Sequence, residues 1–170
     1  MAEITLANLN AMPAIDAFAV MRKLCGAAAW CEAMSKARPF ASNAYVHLAA
    51  DRAFDELRES DWREAFAAHP KIGDVNSLRM KFAGNHEWSD GEQSGVQAAS
   101  EEIFAELSQL NAEYEAKYGF IFIVCATGKS ALEMLELLRG RMHHSSEGEL
   151  EIAAAEQRKI THLRIDKLLP

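Results

Sequence analysis

Apolar positions recur at three- and four-residue intervals over most of the chain. Ile15, Phe18, Val20, Met21 and Leu24 follow Pro13 at near-helical spacing. Proline suits a first helical turn, where its missing N–H is not needed. Gly26 interrupts the pattern. An alanine-rich helix is predicted from Ala27 to about Ala37, stopped by Arg38-Pro39 because proline cannot extend it. Ser42 can cap a third helix, with Tyr45, Leu48, Ala49, Phe54 and Leu57 as its expected buried stripe. Ser60 can cap a short fourth carrying Trp62, Ala65 and Phe66. His69-Pro70-Lys71-Ile72-Gly73-Asp74 then reads as a loop.

Helical pattern returns at Ser89-Asp90-Gly91-Glu92, which fits the S-x-x-E capping box. It opens a long helical region that Gly119 stops after Tyr118. Phe120-Ile121-Phe122-Ile123-Val124 is β-like in composition but has no partner strand, so extended backbone or a buried helix end is expected. Thr127 or Ser130 starts another helix through Leu132, Met134, Leu135 and Leu138. Ser146-Glu147-Gly148-Glu149 is a second capping box, opening a last helix with Ile152, Ala155, Ile160, Leu163 and Leu168 inward. The expectation is an all-α fold of about eight helices without a sheet, one compact domain over 1–170.

Composition narrows the function classes. The 170 residues are 49% apolar and 25% charged, enough for a real core and too apolar for disorder. A net charge of −7 argues against nucleic acid or an anionic membrane as partner. The longest apolar run, Phe120–Ala126, has seven residues, well short of the ~18 that a membrane helix needs. The first residues, MAEITLANLN, carry no basic segment followed by an apolar run, and Cys25, Cys31 and Cys125 have no paired spacing. Both features favour free buried thiols in a reducing compartment and a cytoplasmic location.

The candidate chemistry is sparse. Six histidines, His47, His69, His86, His143, His144 and His162, form no H-E-x-x-H motif and no zinc-type Cys/His quartet, so no metal site is expected. His143-His144 suits the negative end of a helix. Gly128-Lys129-Ser130 resembles the end of a phosphate-binding P-loop, but the first glycine would fall on Ile123 and the parallel sheet is missing. A capped turn with Lys129 in solvent is the simpler reading. His69 lies after a helix and before Pro70, where an imidazole can face a cleft and move protons or bond helix-end carbonyls. Ser89 and Glu92 serve a helix cap equally well, and Gln93 a solvated first turn. Arg164 lies among apolar residues of the last helix and either snorkels or points into a pocket.

Taken together, these pieces resemble one family. His69-Pro70-Lys71-Ile72-Gly73, Ser89-x-x-Glu92-Gln93, Tyr118 through Ala126 and Lys159-Ile160-x-x-x-Arg164 occur in order. With Trp30, Arg38-Pro39-Phe40 and Leu110-Asn111-x-x-Tyr114, the set is similar to the OHCU decarboxylases, which act on 2-oxo-4-hydroxy-4-carboxy-5-ureidoimidazoline in urate breakdown. The likeness runs from about Leu9 to Leu168. It departs at Arg141-Met142-His143-His144, where an Arg-Leu-x-Asn stretch is frequent, and at Ile165, where leucine is usual. The resemblance implies an all-helical homodimer that uses no cofactor and makes (S)-allantoin. It implies His69 as catalytic acid/base, with Glu92 and Arg164 beside it in the chemistry. Pro70, Ser89 and Gln93 would line the substrate pocket. Backbone groups of Phe122, Ile123, Val124, Cys125 and Ala126 would bond the ring. Two other readings remain from the residues themselves: an inactive helical binding module of the same fold, and a nucleotide binder using Gly128-Lys129-Ser130.

Overall fold

A computed structural model describes residues 4–71, 75–82 and 93–170. Among them are nine helices and no strand: α1 Leu6–Ala11, α2 Ala14–Leu24, α3 Ala28–Lys36, α4 Asn43–Asp55, α5 Glu59–Ala67, α6 Val75–Phe82, α7 Gln93–Tyr118, α8 Ala131–Arg141 and α9 Ser146–Leu168. The short helices α1 and α6 lie outside the sequence expectation. Phe120–Val124 is neither helix nor strand, with a bend at Phe120. The chain forms two compact units. One comprises residues 1–69, 123–125 and 150–170, the other residues 70–122 and 126–149.

In the first unit, α3 packs against α2, α4 and α5. Fully buried Trp30 of α3 stacks on Phe54 of α4 at 5.4 Å, and Phe54 stacks on Trp62 of α5 at the same spacing. Such ring pairs add about 0.5–1.5 kcal/mol each beyond area burial. The Trp30 indole N–H donates to the Ala50 carbonyl at 3.2 Å, which satisfies its one buried polar atom. This aromatic row fixes α5, and α5 delivers His69 at its C-terminal end. Arg38 donates to the carbonyls of Leu9 and Met12 at 2.7 and 2.6 Å, supplying partners that the end of α1 lacks.

Helix α9 is anchored to α4 by a polar chain. Asp166 meets His47 at 3.0 Å, His47 meets His162 at 2.7 Å through their Nδ1 atoms, and His162 meets Asp51 at 2.8 Å. Asn43 at the start of α4 donates to the Leu169 carbonyl at 3.0 Å.

In the second unit, α7 packs against α6 and α8. Its centre is a buried charge network: Glu149, with no exposed surface, receives Arg141 Nε at 2.6 Å, the Tyr114 hydroxyl and His144 Nδ1 at 2.8 Å. Burial and the Glu149 carboxylate push the Tyr114 phenol far up from its ordinary range. The Arg141 guanidinium lies 4.7 Å from the Phe122 ring centre. Gly119 closes α7 at φ 75°, a left-handed conformation that glycine adopts without steric cost.

Four expected details differ. The inner face of α4 is Val46, Ala50, Ala53 and Phe54, whereas Tyr45 and Leu48 are exposed. Ser60 does not cap α5. The carboxylate of Asp61 receives the Arg58 N–H at 2.9 Å instead, which closes the first turn from within. Ser146 is not the cap of α9 either: the Ser145 hydroxyl accepts the Gly148 N–H at 3.2 Å, which leaves Glu149 to the buried network. The buried stripe of α9 is Ala153, Gln157, Thr161 and Ile165 rather than Ile152, Ala155, Ile160 and Leu163. Two polar side chains sit where apolarity alone would place none.

Candidate active site

Helix α5 ends because proline follows. Ala68 keeps right-handed helical geometry, and the His69 N–H still reaches the Phe66 carbonyl at 3.1 Å. Pro70 then blocks continuation, and a residue before proline is steered out of the helical region. His69 is thereby held at the open end of a helix whose Trp62, Ala65 and Phe66 are buried. Its ring is half-buried, and Pro70 is exposed.

The His69 ring is tied to α9. Its Nε2 lies 2.6 Å from Gln157 Oε1. The Gln157 amide nitrogen donates to Thr161 Oγ1 at 3.1 Å, and the Thr161 hydroxyl donates to the Leu24 carbonyl at 3.4 Å. Gln157 and Thr161 have no exposed surface. Arg164 Nη1 donates to the same Leu24 carbonyl at 2.9 Å. Positions 157, 161 and 164 share one helix face by their spacing of four and three, so a single helix presents the whole polar set. The Leu24 carbonyl is a helix-end acceptor without an intrahelical partner, and α9 supplies two donors to it.

Electrostatics follow from this packing. Burial is the main reason the His69 imidazole has a lowered pKa, the positive charge of Arg164 lowers it further, and the Gln157 acceptor opposes both. The ring is therefore held more neutral than a histidine in water. Cys25, adjacent to Leu24 and without exposed surface, is pushed up to about 11 by burial, and Arg164 partly counters this. Cys31, also buried, is pushed up to about 12. Neither thiol is poised as a thiolate nucleophile. Cys125 is half-buried rather than buried.

A second tie to α9 concerns the non-helical segment after α7. The Cys125 N–H donates to Glu156 Oε2 at 2.7 Å, and Lys159 meets the other Glu156 oxygen at 2.6 Å. The main chain is thus tied to α9 at Cys125, and Ile123 is buried.

The expected residues separate clearly. His69, Arg164 and residues 123–125 belong to the first unit, and His69 and Arg164 share one hydrogen-bonded set. Pro70, Phe122 and Ala126 belong to the second unit. Ser89 and Glu92, with their expected capping box, lie outside the described residues, as does the side chain of Gln93. Gln157, Thr161 and Glu156 were missed by sequence reasoning. The signal for Gln157 and Thr161 is their four-residue spacing on the stripe that Ala153 and Ile165 otherwise close; Glu156 lies off that stripe and carries no such signal. Among the described residues, no group of three His, Cys, Asp or Glu side chains could hold a metal ion, and no helix is long and apolar enough to cross a membrane. The Gly128-Lys129-Ser130 turn is a helix start: Gly128 has φ 76°, and Ser130 and Glu133 exchange capping bonds, with Lys129 half-buried rather than in solvent.

Comparison with known proteins places these residues in a family context. The family model for OHCU decarboxylase matches residues 10–166. The uric acid degradation bifunctional protein TTL of Arabidopsis thaliana is 42% identical over 147 residues, covering 85% of this chain and 44% of that protein. The 2-oxo-4-hydroxy-4-carboxy-5-ureidoimidazoline decarboxylase of Xenopus laevis is 28% identical over 131 residues, covering 75% of this chain and 73% of its own length. A crystal structure of OHCU decarboxylase in the presence of (S)-allantoin superimposes with a TM-score of 0.71 at 33% identity, covering 88% of this chain and 96% of that one. An (S)-allantoin synthase structure shares the fold, with a TM-score of 0.72 at 18% identity, covering 98% of this chain and 54% of that one. The chain thus spans less than half of the Arabidopsis protein's length.

Proposed function

The chain belongs to the OHCU decarboxylase family, and from that premise we propose that it decarboxylates 2-oxo-4-hydroxy-4-carboxy-5-ureidoimidazoline to (S)-allantoin and CO2 without a cofactor. The observation that carries this reading is the joint placement of His69 and Arg164 on one buried hydrogen-bond relay within the family match. The proposal treats residues 1–170 as one catalytic domain.

The reaction has its own electron sink. When the bond from ring carbon 4 to the carboxylate breaks, its electron pair enters the bond to carbon 5. The C=N pair moves onto the ring nitrogen, which takes a proton. The resulting enol then gives up its hydroxyl proton as carbon 5 gains one on a single face. The protein must hold an anion, read the ureido group and move protons from one side.

Arg164 suits the first task, since a guanidinium pairs with carboxylate through parallel N–H bonds. A His69 ring kept neutral by burial suits proton removal from the hydroxyl and delivery to carbon 5. Glu92 would accept from hydroxyl or ureido N–H groups, and Gln93, as donor and acceptor together, would read the ureido amide. Pro70 and Ser89 would line the pocket. Main-chain groups of Phe122, Ile123, Val124, Cys125 and Ala126 would bond the ring, which explains an apolar segment in a polar task. The Glu156 bond to the Cys125 N–H supports a fixed main chain there. Much of the acceleration would come from positioning, because a held geometry removes the entropy cost of encounter.

The homodimer belongs to the same proposal. Exposed Tyr45 and Leu48, beside Pro39 and Ala41 in one groove, support it. A cytoplasmic location is proposed from the unpaired thiols.

The test generates the substrate in situ from urate with a urate oxidase and a hydroxyisourate hydrolase. Decay of the imidazoline is followed by ultraviolet absorbance. Decay accelerated by the protein, and lost in a folded His69→Asn variant, is the expected result. Folded wild-type protein that leaves the spontaneous rate unchanged would reject the decarboxylase and favour an inactive binding module.

A further inference from the structure

The relay behind His69 assigns which ring nitrogen does the chemistry. We propose that Gln157 is a positioning residue that holds His69 as its Nε2–H tautomer, leaving Nδ1 as the proton-transferring atom. The inference rests on the decarboxylase reading for its catalytic meaning and on hydrogen-bond accounting for its geometry.

The Leu24 carbonyl has only lone pairs, so the Thr161 hydroxyl facing it is a donor. Thr161 Oγ1 is then left as an acceptor toward Gln157 and takes an N–H of the amide at 3.1 Å. An amide whose nitrogen points one way points its oxygen the other, so Gln157 offers Oε1 to His69 at 2.6 Å. An acceptor at that distance needs a proton on His69 Nε2. A neutral imidazole has one N–H, which makes Nδ1 the lone pair. Among the described residues, Nδ1 has no hydrogen-bond partner. Gln157 and Thr161 are completely buried, so water cannot replace either partner, and an inverted amide would set two acceptors against each other, Gln157 Oε1 and a Thr161 oxygen whose one proton is given to Leu24.

The same relay couples to the anion-holding group. Leu24 receives both Thr161 and Arg164, so a single helix-end carbonyl sets the position of both working side chains. Arg164 on α9 is also the charged group whose field acts on the His69 ring.

The experiment labels histidine with 15N and reads two-bond 15N–1H correlations of the intact protein near neutral pH. His69 is assigned by its loss in His69→Asn. A protonated Nε2 and an unprotonated Nδ1 are expected. The opposite tautomer would overturn the proposal whether or not the protein decarboxylates. The expected tautomer in a protein without turnover would instead reject the function and leave the relay standing.

Variants extend the test. Gln157→Leu should lower kcat on the order of 10–100-fold with KM little changed, since orientation and tautomer are lost while substrate groups remain. Gln157→Glu places a carboxylate on the Nε2–H, so the acid limb of the kcat/KM profile should move to higher pH. Thr161→Val should reproduce part of the Gln157→Leu defect, and Thr161→Ser should restore it. An unchanged pH profile in Gln157→Glu, with wild-type kcat in Gln157→Leu, would reduce Gln157 to a packing residue and overturn the proposal.

Discussion

Placing a single methyl group on Gly26 should damage a site that Gly26 does not touch. A Cβ at that position would lie 2.2 Å from the Ala68 Cβ, 3.3 Å from the Ala65 carbonyl oxygen and 3.4 Å from Ala65 Cα. Carbon–carbon contact needs ~3.5–4.0 Å, so about 1.3 Å or more must be recovered at Ala68. The turn carrying Gly26 is pinned: Arg22 donates to its carbonyl and to Glu64 at 2.8 Å each, and Glu64 receives the Ala28 N–H at 2.9 Å. Ala68 is exposed at the end of α5, so the end of α5 is what moves, and His69 is the next residue. Overpacking of this kind costs about 1–3 kcal/mol, a fall in Tm of about 2–4 °C per kcal/mol for a chain of this length.

Such a protein stays folded at room temperature, yet kcat/KM should fall on the order of 10–100-fold, because displacement near 1 Å disrupts proton transfer. The assay pairs thermal unfolding with turnover of the in situ substrate. Gly26→Ala combined with Ala68→Gly removes the 2.2 Å contact and should recover most of both quantities. Wild-type Tm and turnover in Gly26→Ala would refute the reasoning, as would a double variant no better than the single.

Other substitutions and pH probe separate parts of the account. Arg141→Met leaves buried Glu149 without its cation and should cost about 3–5 kcal/mol by urea unfolding; Arg141→Met with Glu149→Met should regain much of it. Folded His69 has a lowered pKa, so between that value and its ordinary 6.5 the unfolded chain binds more protons. Stability contributed by His69 is therefore complete above 6.5 and is lost as pH falls toward the folded value, a slope that urea midpoints should show and that His69→Asn should lack. The acid limb of kcat/KM should likewise lie below 6.5. Arg164→Lys forfeits the fork that serves both the Leu24 carbonyl and a carboxylate, and its kcat/KM should not recover to wild type. Ser130→Ala, which breaks the box with Glu133, should cost about 1 kcal/mol with turnover unchanged.

What the sequence reveals here depends on whether a signal is local. Helix stops at Arg38-Pro39, His69-Pro70 and Gly119 are local stereochemistry, and so is the Ser130 start of α8; each was legible. Which face of a helix turns inward is a tertiary matter. On α4 both Tyr45–Leu48 and Val46–Ala50–Phe54 are apolar at helical spacing, and only packing against α3 selects the second. On α9 the buried stripe contains Gln157 and Thr161, whose burial is tolerable because the relay satisfies them. A pattern reader sends such residues to solvent. Glu149 misled in the same way: its spacing from Ser146 mimics a cap, while its partners, Arg141 and Tyr114, lie eight and thirty-five positions away. The site divides likewise. His69 stood out because proline follows it, whereas the residue holding its ring is a helix glutamine 88 positions on.

The central claim is that this chain sets the handedness of the product through His69. Circular dichroism of allantoin formation from urate, with the two preceding activities supplied, tests it most directly. Rapid build-up of the (S) enantiomer with wild-type protein, collapsing to slow racemic product with folded His69→Ala, is the predicted result. Racemic allantoin at the uncatalysed rate from folded wild-type protein would contradict it.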